Sequence, residues 1–293
     1  MHFQDYPENS SFFTEINHRK MHYLANENLQ AEPVVMIHGN PSWSFYYRYL
    51  FSALSDNYYC IAPDHIGMGL SEKPDNNYSF TLEQRVDDLE VLLDKLAVTR
   101  DITLVMHDWG GMIGLAYATR HPDRIKRLVI SNTAGFHIPA GKKIPWQLQL
   151  SRLPILGKLA IQGFNAFCRG AVNQCVTRKP LIPEIASAYI LPYDSWHNRL
   201  SVLRFVEDIP LKKTHISFPI ITEVDNQLNQ FASLPMMICW GLNDFVFDRD
   251  FLNEWKRRFP NADYHEYDAG HYLLEDAGDE VIPAIQTFLQ DNP

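Results

Sequence analysis

The stretch Val105-Met106-His107-Asp108-Trp109-Gly110-Gly111 constrains the fold most, because an apolar run ends on an acid and two glycines follow at once. Ile102 to His107 reads as a buried strand and Gly110 to Arg120 as a helix. The acid then stands at the apex of a sharp strand-to-helix turn, a nucleophile elbow, where a strained backbone exposes the side chain. Gly110 and Gly111 remove the bulk that would hold the two elements apart. A carboxylate that adds to an ester carbonyl gives an unfavourable mixed anhydride, whereas displacement at sp3 carbon gives an ordinary alkyl ester. Asp108 therefore points to an alkyl carbon as electrophile. The competing reading makes Asp108 the N-cap of the helix that follows.

At 293 residues, 46% of them hydrophobic, the chain can hold one large α/β domain with an insertion or two small domains. The formal charge of −9, with no basic run longer than Lys256 to Arg258, argues against a nucleic-acid partner. Those three cations suit a helix C-terminus. Met1 to Ser10 is polar and acidic, unlike a signal peptide, and no apolar run approaches the about 20 residues of a membrane span. A cytoplasmic protein is expected. Cys60, Cys168, Cys175 and Cys239 lack metal-type spacing, and two of them fall in predicted strands, so neither a disulfide nor a metal nor another cofactor is expected. His18 and His22 fall in a predicted hairpin that reads as solvated.

Phe12 to Ile16 and Arg19 to Leu24 look like an antiparallel pair. Pro33 to Ile37 is an apolar run suited to a strand buried on both faces, and His38-Gly39-Asn40-Pro41 follows as a loop that can aim N–H groups at a site. Next come a helix over Phe45 to Leu54, a strand over Tyr58 to Ala62 and the loop Pro63 to Gly69. Such alternation predicts a parallel sheet. Thr81 and Gln84 form a capping box, and Leu82, Val86, Leu89, Leu93 and Leu96 recur at helical spacing. Arg127 to Ser131 is a further strand. Residues 1–134 and 211–293 make up the expected core.

Between 135 and 210 prolines recur, helical patches appear and no strand is convincing, which predicts an inserted helical cap. Its Trp146, Leu148, Leu150, Ile155, Leu156, Leu159, Phe164 and Phe167 are expected mostly to pack cap against sheet, a few of them facing a cleft. A polar helix follows. Met236 to Trp240 then reads as a strand that leads to Asp244, Phe251, Trp255 and Phe259 mark one helix face, Tyr264 to Tyr267 is the last strand, with His271 beyond it, and Val281 to Leu289 is a closing helix.

Asp108, Asp244 and His271 thus fall at three strand ends, in the chain order nucleophile, acid, histidine that belongs to α/β-hydrolase folds. His271 would be the base and Asp244 would fix its tautomer. Through His38-Gly39-Asn40-Pro41 and His107-Asp108-Trp109-Gly110 the chain resembles the haloalkane dehalogenase and epoxide hydrolase branch of that fold. The resemblance implies that Asn40 and Trp109 donate N–H groups to a leaving anion. Met106 departs from the small residue usual in such elbows. One dehalogenase subclass places its acid about two dozen residues after the nucleophile, but Ser131-Asn132-Thr133 stands there, so the acid role passes to Asp244.

Further segments carry a resemblance over nearly the whole chain to the β-lactone decarboxylases of bacterial long-chain olefin biosynthesis. They are Trp43 to Arg48, Pro63 to Gly67, Gln84 to Leu89, Pro192 to Trp196, Arg204 to Val206, and Cys239 to Gly241 with Asp244 to Phe247. This resemblance implies decarboxylation of cis-3,4-dialkyl β-lactones to cis-olefins and carbon dioxide, a small hydrophobic substrate, and association with a β-lactone-forming ligase. Composition alone leaves lactone and haloalkane both open, because each needs an apolar cavity, a carboxylate and anion donors. An epoxide hydrolase would need cap tyrosines, for which Tyr189 and Tyr193 are the candidates. A non-catalytic receptor on the same fold is the alternative from another class.

Overall fold

The hairpin of Ser11–Ile16 (β1) and Arg19–Ala25 (β2) turns through Asn17 and His18, both at positive φ (49° and 64°), as a two-residue turn matched to strand twist requires. Pro33–Ile37 (β3), Tyr59–Pro63 (β4), Ile102–His107 (β5), Ile125–Ser131 (β6), Met236–Gly241 (β7) and Asp263–Tyr267 (β8) complete an eight-stranded sheet of order β1-β2-β4-β3-β5-β6-β7-β8. β2 pairs antiparallel with β1 and β4, and every other pair is parallel. This is the α/β-hydrolase architecture anticipated from the alternation of elements. β3 is flanked by β4, which follows it in the chain, and by β5, so the loops leaving β3 and β5 diverge from neighbouring strand ends. Such a switch point is where α/β sheets place their ligands.

The structure, a computed structural model, describes residues 3–139 and 141–293. Met1 and His2, at the head of the stretch read as lacking a leader, and Ala140 in the expected cap lie outside the described residues, as does the side chain of Gln147.

The core helices are Arg48–Leu54 (α1), Leu82–Lys95 (α2) and Trp109–Arg120 (α3). The helix expected over Phe45 to Leu54 opens as a 3-10 turn, Ser44–Tyr47, before α1 begins. Thr81 caps α2 by accepting from the Gln84 amide at 3.4 Å, but the Gln84 side chain donates to Asp88 instead of returning to Thr81, so the capping box is half formed. Leu82, Val86, Leu89 and Leu93 are buried on one face of α2, where shortening a leucine to alanine costs about 2 to 5 kcal/mol.

Between β6 and β7 the described residues form no strand. They form Trp146–Ser151 (α4), Leu156–Lys158 (α5) running into a π turn at Leu159–Gly163, Ala166–Gln174 (α6), Pro183–Ile190 (α7), Leu200–Glu207 (α8) and Phe218–Gln227 (α9). Arg249–Arg258 (α10), Leu273–Asp276 (α11) and Gly278–Asp291 (α12) follow β7 and β8. Lys256 to Arg258 close α10, as expected of cations at a helix end. α1 packs with α12, while α2 and α9 both pack against α3.

Two expectations fail on burial. His18 is solvated, but His22 is fully buried and its Nδ1 lies 2.8 Å from Asp64 Oδ2, because β2 is an inner strand covered by the loop after β4. In the cap, Trp146, Leu150, Ile155, Leu156, Leu159 and Phe164 are exposed instead of packing against the sheet.

Candidate active site

Asp108 sits between β5 and α3 at φ 52° and ψ −129°, a conformation that persists in a non-glycine residue only where the surroundings impose it. Three glycines permit this. A Cβ on Gly39 would overlap the Asp108 carboxylate, one on Gly110 the Ile37 carbonyl, and one on Gly111 the Thr133 hydroxyl. Asp108 stands at the N-cap position of α3, but its side chain makes no capping hydrogen bond there and is free for another role.

Instead Oδ1 accepts the Asn40 backbone N–H at 2.6 Å, and the neighbouring Trp109 backbone N–H also favours the ionised carboxylate. In serine enzymes of this fold the equivalent pair of amides forms the oxyanion hole; here the nucleophile's own oxygen takes the Asn40 amide. The second oxygen, Oδ2, lies 3.6 Å from His271 Nε2. Burial raises the Asp108 pKa, with His271 and the two amides opposing it.

Asp244 and His271 meet as expected. His271 Nδ1 is 2.7 Å from Asp244 Oδ2, which fixes Nδ1 as the protonated nitrogen when the acid is ionised. Asp244 Oδ1 accepts the amides of Val246 at 2.7 Å and Phe247 at 3.0 Å. The His271 carbonyl accepts from His107 Nε2 at 2.8 Å. Burial lowers the His271 pKa, but the Asp244 and Asp108 carboxylates outweigh it and the net shift is upward.

The leaving-group donors behave differently from each other. Trp109 lines the cavity with its ring 5.5 Å from Phe205. The Asn40 side chain instead donates to the Val202 carbonyl of α8 at 3.2 Å, so its contribution to the Asp108 carboxylate comes from the main chain.

The sequence reading missed Asn132. Buried at the end of β6, it donates to Asp244 Oδ2 at 3.0 Å and accepts from the Gly241 amide at 2.8 Å. Its signal was its place at a strand end beside the other two. The loop after β3 is held by a second missed pair, since His38 Nε2 accepts the His65 amide at 3.2 Å and His65 Nε2 donates to the His38 carbonyl at 3.0 Å.

Asp108, Trp109 and His271 open onto a cavity of about 380 Å³ lined by Met112, Ile161, Phe167, Ile221, Phe245 and Phe247 among others. Of the eight apolar cap residues singled out, Trp146, Leu148, Leu150 and Phe167 line it. Tyr189 and Tyr193 do not. The Tyr189 hydroxyl donates to Glu275 Oε1 at 2.5 Å, where Arg48 donates to both Glu275 oxygens at 2.5 and 2.9 Å, and the Tyr193 hydroxyl donates to the Ser42 carbonyl at 3.3 Å. Neither tyrosine can protonate an epoxide in the cavity.

Residues 32–167 match the alpha/beta hydrolase fold family. The chain is 54% identical to a cis-3-alkyl-4-alkyloxetan-2-one decarboxylase of Shewanella oneidensis, over 95% of this chain and 88% of that one. It is 46% identical to a protein of the same name from Xanthomonas campestris, over 93% of each. A haloalkane dehalogenase of Mycobacterium bovis is 27% identical over 96% of this chain and 95% of its own length. The crystal structure of a haloalkane dehalogenase from Agrobacterium tumefaciens superposes with a TM-score of 0.86 at 24% identity, covering 97% of each chain, a likeness of fold. With a full-length identity of 54% to one decarboxylase and 46% to another, against 27% to the dehalogenase, the chain belongs to the cis-3-alkyl-4-alkyloxetan-2-one decarboxylases.

Proposed function

We propose that Asp108 is the nucleophile with which this enzyme converts a cis-3-alkyl-4-alkyloxetan-2-one to a cis-alkene and carbon dioxide. The reading is carried by the Asp108 carboxylate, whose Oδ1 accepts the Asn40 amide at 2.6 Å while Oδ2 stands 3.6 Å from His271 Nε2. With the Asn40 amide engaged by the nucleophile itself, a carbonyl-addition route lacks a complete pair of donors for its oxyanion, whereas displacement at sp3 carbon needs none there. Asp108 attacks the ring carbon that bears the alkyl oxygen. That C–O bond breaks with inversion, leaving an alkyl ester on Asp108 and a carboxylate on the neighbouring carbon. Anti elimination then breaks the bond to the carboxylate carbon and the ester C–O bond together, forming the alkene, releasing carbon dioxide and restoring Asp108. Inversion followed by anti elimination preserves the cis relationship, and no water is consumed. His271, held by Asp244, serves as the cation that balances the carboxylates, and Trp109 faces the one released from the ring.

The test is product analysis by gas chromatography with purified enzyme and a cis β-lactone, beside halide release from long-chain bromoalkanes. Alkene is expected as the main product. β-Hydroxy acid alone, or halide release at the higher kcat/KM, overturns the reading in favour of a hydrolase or dehalogenase.

Residues 135–210 act as the cap over this site, with 1–134 and 211–293 as the core, a division supported by the packing of α9 on α3. A cytoplasmic location is supported by four free, buried cysteines; among the described residues no helix is long and apolar enough to cross a membrane. Association with a β-lactone-forming ligase is proposed by analogy with the enzymes this chain resembles, and co-purification from cells tests it.

A further inference from the structure

The cap carries charge opposite to that of the rest of the chain. Of 26 Lys and Arg and 35 Asp and Glu in the sequence, seven of the cations and none of the acids fall between 135 and 183, leaving +7 on this stretch and −16 on the remainder. Core carboxylates cancel two of these, since Lys142 pairs with Asp248 and Asp250 and Arg178 with Glu280. Arg152 is engaged by the Val206 and Glu207 carbonyls. Lys143, Lys158, Arg169 and Lys179 are exposed and have no carboxylate partner among the described residues.

The same stretch holds large apolar side chains in water. Trp146 is 69% exposed, Ile155 73%, Leu156 58% and Phe164 74%, with Leu159 beside them. They lie on α4, α5 and the π turn or, for Ile155 and Phe164, at the ends of the last two, and these elements contact one another in series. Trp196, 46% exposed, adjoins them, packing on Gly163 with its ring 5.7 Å from Lys158 Nζ. Soluble proteins rarely leave so large an apolar patch uncovered without a use for it.

We propose that this face of the cap, residues 143–164 with Trp196, docks on an anionic lipid surface. Its aliphatic and aromatic tips enter the acyl boundary and its unpaired lysines meet lipid phosphates, the two contributions that hold interfacial segments to membranes. Continuity with the cavity favours a lipid over a protein occupant: Trp146 and Leu150 of α4 are exposed to solvent and also line the cavity, beside Leu148. A dialkyl lactone, which partitions into bilayers, then passes from the lipid into the cavity without crossing water. That last step rests on the function proposed above, whereas the docking does not.

Sedimentation of the full-length protein with vesicles, without substrate, tests the docking independently of that function. Vesicles of phosphatidylcholine mixed with phosphatidylglycerol are expected to bind it about tenfold more tightly than phosphatidylcholine alone, the preference fading at high salt. Leu156→Glu combined with Phe164→Glu is expected to weaken vesicle binding by roughly tenfold or more. The double variant keeps its kcat/KM for a short-chain lactone in vesicle-free buffer, which shows that it folds. Lys158→Glu is expected to reduce the preference for the anionic vesicles. Absence of binding to the mixed vesicles, or equal binding by the double variant, overturns the proposal. So does a dimer, seen by light scattering, that the double variant converts to monomer while wild type ignores vesicles; a second copy of the chain is then the occupant.

Discussion

Asn132 and His271 share one oxygen of Asp244, with Nδ2 of Asn132 at 3.0 Å and Nδ1 of His271 at 2.7 Å from Oδ2. Asn132 therefore orients the acid that orients the histidine. Asn132→Leu removes a charge-assisted hydrogen bond and should lower kcat/KM roughly ten- to hundred-fold, with the Asp108 adduct still forming. Steady-state kinetics on the lactone checks this, and an unchanged kcat/KM rules out a positioning role.

Asp108→Asn should abolish the covalent intermediate and reduce alkene formation by roughly 10⁴-fold or more. Intact-protein mass spectrometry after mixing with lactone reads the first effect directly. An undiminished adduct in this variant would remove Asp108 from the nucleophile role. His271→Ala acts at a different step and should retain the adduct.

The pH profile follows from the pair facing each other across 3.6 Å. Asp108 ionises above its ordinary 3.8 because burial raises it, and His271 keeps its proton above its ordinary 6.5 because Asp244 and Asp108 outweigh burial. As the two titrate together, kcat/KM for alkene formation should rise on an acid limb above pH 3.8 and fall on an alkaline limb above pH 6.5. Asp244→Asn removes a charge that raises the histidine, so the alkaline limb moves to lower pH. Halide hydrolysis needs the neutral imidazole as base, and its rate would climb where alkene formation falls. A decarboxylation rate that climbs through the alkaline limb contradicts the cationic role of His271.

His22 and Asp64 form a stability element away from the cavity. Burial alone would raise the Asp64 pKa, but His22 and the surrounding donors hold it at about 2. Its folded value lies below the ordinary 3.8, so its stabilisation is complete above pH 3.8 and is lost as the pH falls through about 2. His22→Ala should cost about 1 to 3 kcal/mol at neutral pH by removing one donor from a buried carboxylate that keeps the Ser44 and Leu70 amides. In denaturant titrations the difference between wild type and Asp64→Asn should shrink as the pH drops across that window. A constant difference would mean that the pair carries no charge-dependent stability.

What could be read from the chain without a structure depended on how local the signal was. The strand Pro33–Ile37 was readable to the residue, since a doubly buried strand must be apolar throughout and a proline opens it. Asp108 and Asp244 were readable because each follows a buried, largely apolar strand, His271 because it lies just past the last strand, and their order in the chain is itself informative. His22 was misread because its burial comes from the loop after β4, some 40 positions away in sequence, and the hairpin's own composition does not record that cover. The cap was misread for a related reason: apolar content predicts burial only on average, and Ile155 and Phe164 depart from it. The side-chain amide of Asn40 was assigned to a leaving anion, and only the position of α8 reveals that Val202 takes it.

Glu275 lies just beyond His271 and is gripped from two sides, by Arg48 of α1 and by the hydroxyl of Tyr189 on α7. The clasp makes the end of the cap near α7 part of the same rigid frame as the catalytic loop, so that a movement there would drag the imidazole with it. Among the described residues, α4 and α5 make no such tie to the histidine. Glu275 thus joins the loop that carries His271 to α1 of the core and to α7 at once, and the imidazole keeps its register with Asp244 on a mounting anchored outside the cavity.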